Sequence, residues 1–172
     1  MKTLYLLRHA KSAWDDPGLA DVARPLAPRG RKAATRVGRA LRESGRLPEL
    51  VLCSPARRAA DTLARVLAEL GPDPVPVETC EALYFGGPAA LLLRVQTLPA
   101  TLYRVMLVAH DPDLHELAVL LAGSGPTAAR VSLSEKFPTG ALALLDFPGD
   151  DWAAVAPGAG RLREFLRPRD LS

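Results

Sequence analysis

The chain is short of cysteine, of aromatic rings and of long apolar runs, and each scarcity removes a class of protein. Two cysteines, Cys53 and Cys80, stand in 172 residues. They supply no disulfide framework and lack the close spacing of a metal or redox pair, so both read as small buried thiols. Aromatic residues make up 5% of the chain, few for the stacking platforms that single strands use, and no concentrated basic run accompanies them. No apolar run approaches the ~20 residues of a membrane helix, and Lys2 lies too close to Arg8 for a signal-peptide core. The expectation is a soluble, cytoplasmic protein with neither nucleic acid nor a membrane as partner. Internal repeats and low-complexity tracts are also absent.

What is present suits one domain, residues 1–172: 48% of the chain is hydrophobic and 24% charged, enough to bury a core unaided. The net charge is +3 with a pI near 9.1, and arginine is used far more than lysine. A guanidinium is a rigid fork suited to phosphate, but so modest a net charge decides nothing by itself.

Strand-like and helix-like segments alternate. "TLYLLR" (3–8), "ELVLCS" (49–54), "RVMLVAH" (104–110) and "GALALLDF" (140–147) are near-continuous apolar runs, the mark of strands covered on both faces. Between them "APRGRKAATRVGRALRESG" reads as a helix stopped at Gly45, and "PARRAADTLARVLAEL" repeats Leu63, Val66, Leu67 and Leu70 at helical spacing. Residues 71–80 read as an edge strand or connector, 88–98 and 112–123 as further helices, and 152–156 with 161–166 as a last hairpin or edge pieces. The alternation predicts an α/β fold of three layers, α/β/α, on a mainly parallel sheet.

In such sheets ligands gather beyond the carboxyl ends of the strands. Three strands end suggestively, at Arg8-His9, at Ser54 shortly before Arg57-Arg58, and at His110. Singly these are weak, since a histidine at a strand end is most often structural and an arginine pair on a helix is usually a solvated face. Jointly they fit a phosphoryl site: guanidinium groups pair with phosphate oxygens, one unprotonated imidazole attacks, and the second donates to the transferring group.

"LLRHAKSAWD" resembles the opening motif of the histidine phosphatase, or phosphoglycerate mutase-like, superfamily. "SPARRAADT" (54–62) is similar to that family's Ser-x-x-x-Arg-Ala-x-x-Thr segment, and "VMLVAHDPDL" to its second-histidine strand. With "RPLAPRG" and "KFPTGALALLDF", the compact build most resembles the SixA-type phosphohistidine phosphatases. The resemblance implies a phosphoglycerate mutase-like fold in a single domain without a large cap insertion. It also implies His9 as the phosphorylated nucleophile, Arg8 and Arg58 as phosphoryl grips, His110 completing the pocket, and Ser12 near the phosphate. Arg58 matches the motif and leaves Arg57 to the surface. Ser12 reads equally well as a loop or helix cap.

Three departures bear on the chemistry. Ala10 replaces the usual glycine, which is tolerable only where the backbone is not left-handed. Asp15 stands where relatives carry a phosphate-donating asparagine, so its carboxylate is expected to turn away from the dianion. "AHDPD" replaces the usual Gly-His-Asn-Pro.

An alkyl phosphate needs a general acid for its leaving oxygen, a contribution of about 10²–10⁴-fold. Glu81 is one candidate and a surface glutamate the competing reading; Asp111 is another, although Asp111 or Asp113 reads better as a cap on the next helix. A phosphohistidine substrate relaxes this demand, because imidazole leaves readily near neutral pH. The group His110, Asp111, Asp113 and His115 lacks the spacing of a zinc site, so neither metal nor cofactor is expected, and His115 reads as a helix-surface or supporting residue. The leading expectation is a phosphatase working through a covalent intermediate on His9 and acting on phosphohistidine protein. The alternatives are a small-metabolite phosphomonoesterase or mutase of the same superfamily, and a non-catalytic phosphate-binding module.

Overall fold

The apolar runs of the sequence sort by parity into two cores. In the computed structural model, which describes residues 1–172, β1 (Lys2–Arg8) gives Leu4 and Leu6 to one core and Tyr5 and Leu7 to the other. β2 (Leu50–Cys53) and β4 (Arg104–Ala109) divide in the same way, Leu52 and Leu107 against Val51 and Met106. A strand buried on both faces has no reason to alternate apolar with polar residues.

Helices cover both faces. α1 (Pro28–Ser44) and α2 (Arg57–Glu69) pack through Val37, Leu41, Leu63 and Val66 over Tyr5 and Leu7. On the other face α3 (Pro88–Gln96), α4 (Asp113–Leu121) and α5 (Thr127–Glu135) pack through Leu91, Leu114, Leu117 and Leu133 over Leu4 and Leu6. Pro28 opens α1 and Gly45 closes it in the left-handed region, at φ 71°.

The remaining strands are β3 (Val77–Thr79), β5 (Ala122–Ser124), β6 (Leu142–Phe147) and β7 (Gly160–Leu166). The sheet order is β3-β2-β4-β1-β6-β7-β5. β6 runs antiparallel to β1 and β7 while every other pairing is parallel, so all strands but β6 point one way. The sheet is therefore mixed but mainly parallel, and the ends of β1, β2, β3 and β4 share one edge.

Two readings of the sequence need correction. The segment 152–156 is not a strand: Trp152–Ala154 is a short 3-10 turn capped by the Asp151 carboxylate, with the Trp152 indole buried and donating to Leu102 O at 2.8 Å. β7 is not an edge piece, since β5 lies outside it. The residues of 71–80 do form an edge strand, β3, while Cys80 is half-buried rather than buried.

Candidate active site

Register alone brings the two histidines together. β1 and β4 pair in parallel with Arg8 opposite Ala109, and His9 N–H donates to Ala109 O at 3.1 Å. The next residue on each strand is a histidine, and His9 and His110 stand with ring centroids 5.1 Å apart. The end of β2 sets Ser54 against His110, Oγ to Nε2 at 2.8 Å. The first turn of α2 carries Arg58, almost wholly buried, whose Nε lies 3.4 Å from His9 Nε2 and whose Nη2 lies 3.3 Å from His110 Nδ1.

Because a guanidinium only donates, these contacts assign the imidazole tautomers. His9 Nδ1 donates to Ala10 O at 2.7 Å, so Nε2 holds the lone pair that Arg58 addresses. His110 Nδ1 accepts from Arg58, so its Nε2–H donates to Ser54 Oγ. Burial lowers the pKa of His9 to about 4, the Ala10 bond opposing and the charges of Arg58 and Arg8 adding to it. Burial, His9 and Arg58 lower His110 to about 3. Both rings are neutral at physiological pH, and the Nε2 pair of His9 carries no proton, only the long 3.4 Å bond from Arg58, so it can attack an electrophile that takes up the guanidinium.

The loop beyond His9 is pinned from two sides. Ala10 N–H donates to Thr62 Oγ1 at 2.9 Å, and Gly140 N–H donates to His9 O at 2.9 Å. Ala10 lies outside the left-handed region, where Phe85 is the one non-glycine residue, so the missing glycine costs nothing there. Arg8 donates through Nη1 to Phe137 O at 2.8 Å, while its Nε is buried without a partner in the protein.

Arg58 is itself held by an acid. Its Nη1 donates to Asp21 O at 2.8 Å and its Nη2 to Asp21 Oδ2 at 3.1 Å. The same carboxylate takes Tyr84 Oη–H at 2.6 Å and an ion pair from Arg24 at 3.2 Å. The Tyr84 bond, followed by those of Arg58 and Arg24, lowers Asp21 to about 2. Next to Tyr84, Phe85 takes a strained φ of 57° and stacks on the His110 ring, centroids 4.7 Å apart. Asp113 Oδ2 accepts from Gly87 N–H at 2.9 Å and so ties this aromatic loop to α4.

His9, Arg58 and His110 thus meet directly, with Arg8 near enough for its charge to act on both rings. Ser12 is buried and accepts from Arg24 Nη1 at 2.8 Å, which places it behind Arg24 rather than against a histidine. Glu81 is exposed at the start of a 3-10 turn past β3, and its side chain makes no hydrogen bond to these residues. Asp15 is exposed, and Arg57 pairs with Asp61 at 3.4 Å on the surface of α2. Asp113 heads α4 without capping it, the N-cap being Pro112. His115 is a supporting residue, its Nε2 donating to Leu133 O at 2.6 Å on α5. No group of three or more His, Cys, Asp or Glu side chains is arranged to hold a metal ion.

Sequence reasoning missed Asp21, Arg24, Tyr84 and Phe85. Asp21 and Arg24 lie in a loop without periodicity. The pair Tyr84-Phe85 ahead of two glycines, in a chain poor in aromatics, was the one signal available.

A neutral strand-end histidine with its second nitrogen tied to a carbonyl, facing a buried arginine and another histidine, is an arrangement able to bind and transfer a phosphoryl group. The family model of the histidine phosphatase superfamily (branch 1) matches residues 4–84. An uncharacterised protein of Mycobacterium tuberculosis is 40% identical over 165 residues, spanning 95% of this chain and 100% of that one. Among solved structures, a candidate phosphohistidine phosphatase SixA from Nakamurella multipartitia is 30% identical with a TM-score of 0.83, covering 97% of this chain and 96% of that one. A second, from Agrobacterium tumefaciens, is 28% identical with a TM-score of 0.79, covering 97% and 98%. The chain belongs to the histidine phosphatase superfamily, in its SixA-type branch, with the phosphoglycerate mutase-like fold. Its activity class is that of a phosphatase.

Proposed function

We propose that this chain dephosphorylates phosphohistidine on other proteins through a covalent phosphohistidine formed at His9 Nε2. The observation that carries this reading is the fixed tautomer of His9, Nδ1–H on Ala10 O and an unprotonated Nε2 that faces Arg58. In the first step the Nε2 pair forms a bond to phosphorus while the substrate P–N bond breaks. Its electron pair stays on the departing imidazole, which leaves neutral if that ring was already protonated. Arg58 and Arg8 offset the charge on the phosphoryl oxygens. The dianion also favours protonation of His110 at Nδ1, turning that atom from acceptor to donor. In the second step water forms a P–O bond, the P–Nε2 bond breaks, a proton passes to solvent and inorganic phosphate departs.

The acids of the site support this substrate class. The one carboxylate bonded into the site is Asp21, held ionised by Tyr84 and the arginines with a pKa of about 2, so it has no proton to give at neutral pH. Glu81 makes no hydrogen bond to His9, Arg58 or His110. Asp111, beside His110, keeps a buried Oδ1 without a hydrogen-bond partner, and its charge acts on Arg8. It is not bonded to those three residues either, and a site whose one bonded carboxylate is ionised favours a leaving group that needs little help, which imidazole is and an alkoxide is not. The resemblance in sequence to SixA-type structures supports the same reading.

The test is a comparison of turnover on a histidine-phosphorylated peptide and on a panel of sugar and glycerate phosphates. Preference for the peptide by at least about tenfold in kcat/KM is expected; rapid cleavage of the metabolite esters with none of the peptide would overturn the assignment.

A further inference from the structure

Beside the catalytic pocket lies a second concavity of opposite design. It has a volume of about 470 Å³ and draws six cations from three stretches of chain: Lys11, then Arg29, Lys32 and Arg36 of α1, then Arg167 and Arg169 after β7. Arg29, Lys32 and Arg36 recur at helical spacing and so share one face of α1. No acidic residue lines the cavity. Asp170 pairs with Arg167 at 2.7 Å and reaches Arg169 at 4.0 Å, whereas Lys11, Arg29, Lys32 and Arg36 enter no ion pair.

The cavity adjoins the loop that holds the nucleophile: a Cβ on Gly140 would lie 2.9 Å from Pro168, 3.8 Å from Ala33 and 3.9 Å from Ala10. Lys11 follows His9 by two residues, and Pro138 and Thr139, which also line the cavity, lie between Phe137, whose carbonyl takes Arg8, and Gly140, whose N–H holds His9 O. A substrate engaged at His9 therefore presents its neighbouring surface to these cations.

We infer that this basic concavity is the docking surface for an acidic stretch of the phosphohistidine-bearing protein, adjoining the phosphorylated histidine; the inference rests on the proposed phosphohistidine reading. The build of the surface chooses the partner. Where this chain grips a compact anion it buries and fixes the guanidinium, as with Arg58. Lys11, Arg29, Lys32, Arg36 and Arg169 are exposed, and no hydrogen bond ties the side chains of Lys11, Arg29, Lys32 or Arg36 to the protein. Long free arms spread over a broad patch suit many carboxylates at variable positions and steer encounter, while contributing little to the reacting phosphoryl group.

The test uses the full chain and two histidine-phosphorylated peptides of equal length, one flanking the phosphohistidine with four glutamates and the other with four glutamines. The wild type should favour the glutamate peptide by about tenfold in kcat/KM, carried mainly by KM and shrinking as salt rises. In the variant R29E/K32E/R36E that preference should vanish, with hydrolysis of phosphoramidate unchanged within about twofold. Equal use of both peptides by the wild type overturns the docking surface alone. An equal loss on phosphoramidate overturns it too, by assigning the cations to the phosphoryl group, as does charge-dependent binding of single-stranded RNA without peptide preference. Cleavage of alkyl phosphates with neither peptide turned over overturns the substrate reading on which the inference stands.

Discussion

His9 and His110 are buried uncharged, and that has a consequence for stability before any substrate binds. Each takes its proton in the unfolded chain near pH 6.5 but in the folded one only near 4 and 3. Between those limits the unfolded state binds more protons, so stability is full above about 6.5 and declines as pH falls toward 4. Urea midpoints at pH 7 and pH 5 should differ accordingly, and His9→Gln should shrink the difference; an unchanged midpoint would contradict the neutral, buried ring. Arg8, His9 and His110 were legible because each sits where a buried strand ends and a charged or polar residue breaks its apolar run, and Arg58 because its place four residues after Ser54, in the first turn of α2, matches the family motif. Asp21 and Tyr84 were not legible: they reach Arg58 from loops, whose paths no local periodicity encodes. Glu81 stayed open between acid and surface residue for the same reason, since it opens a 3-10 turn whose course no periodicity encodes.

At the scale of elements, α1 and the loop after β1 fit through a single glycine. Ala27 N–H donates to Lys11 O at 2.9 Å, and a Cβ on Gly30 would stand 2.1 Å from that same oxygen. Backbone cannot yield as a flexible side chain does, so Gly30→Ala forces α1 away from Lys11 and strains the loop two residues past His9. A loss of about 1–3 kcal/mol in stability with a fall in kcat is expected, read by thermal melting and turnover; wild-type values for both would exclude the contact. The sequence motif "RPLAPRG" thus owes its glycine to helix-on-loop packing. β1, β2, β4 and β6 and the first four helices were legible from run length and period, whereas β7, whose outward residues are polar, was not read as an inner strand. The helix α5 was not, because Leu133 is its one buried residue and "TAARVSLSE" has no apolar stripe to betray it. β5, of three residues, is recruited by β7 rather than by any pattern of its own.

At the scale of the whole molecule, two cores clamp a sheet whose parallel register delivers chemistry to one edge. The pairing of β1 with β4 places His9 beside His110, and that of β2 with β4 brings Ser54 and the start of α2 to the same place. No helix of the chain is long and apolar enough to cross a membrane. Three surface features accompany this edge: the half-exposed Phe85, the Trp14 ring with the Arg24 guanidinium 3.4 Å above it, and the basic concavity beside Lys11.

The central claim is that phosphorus becomes bonded to one nitrogen of one residue. Reacting the protein with ³²P-phosphoramidate, quenching in alkali and mapping the label tests it directly. The account predicts acid-labile, alkali-stable label on the peptide containing His9, absent from His9→Gln; turnover with no such label, or label that survives that substitution, would contradict it.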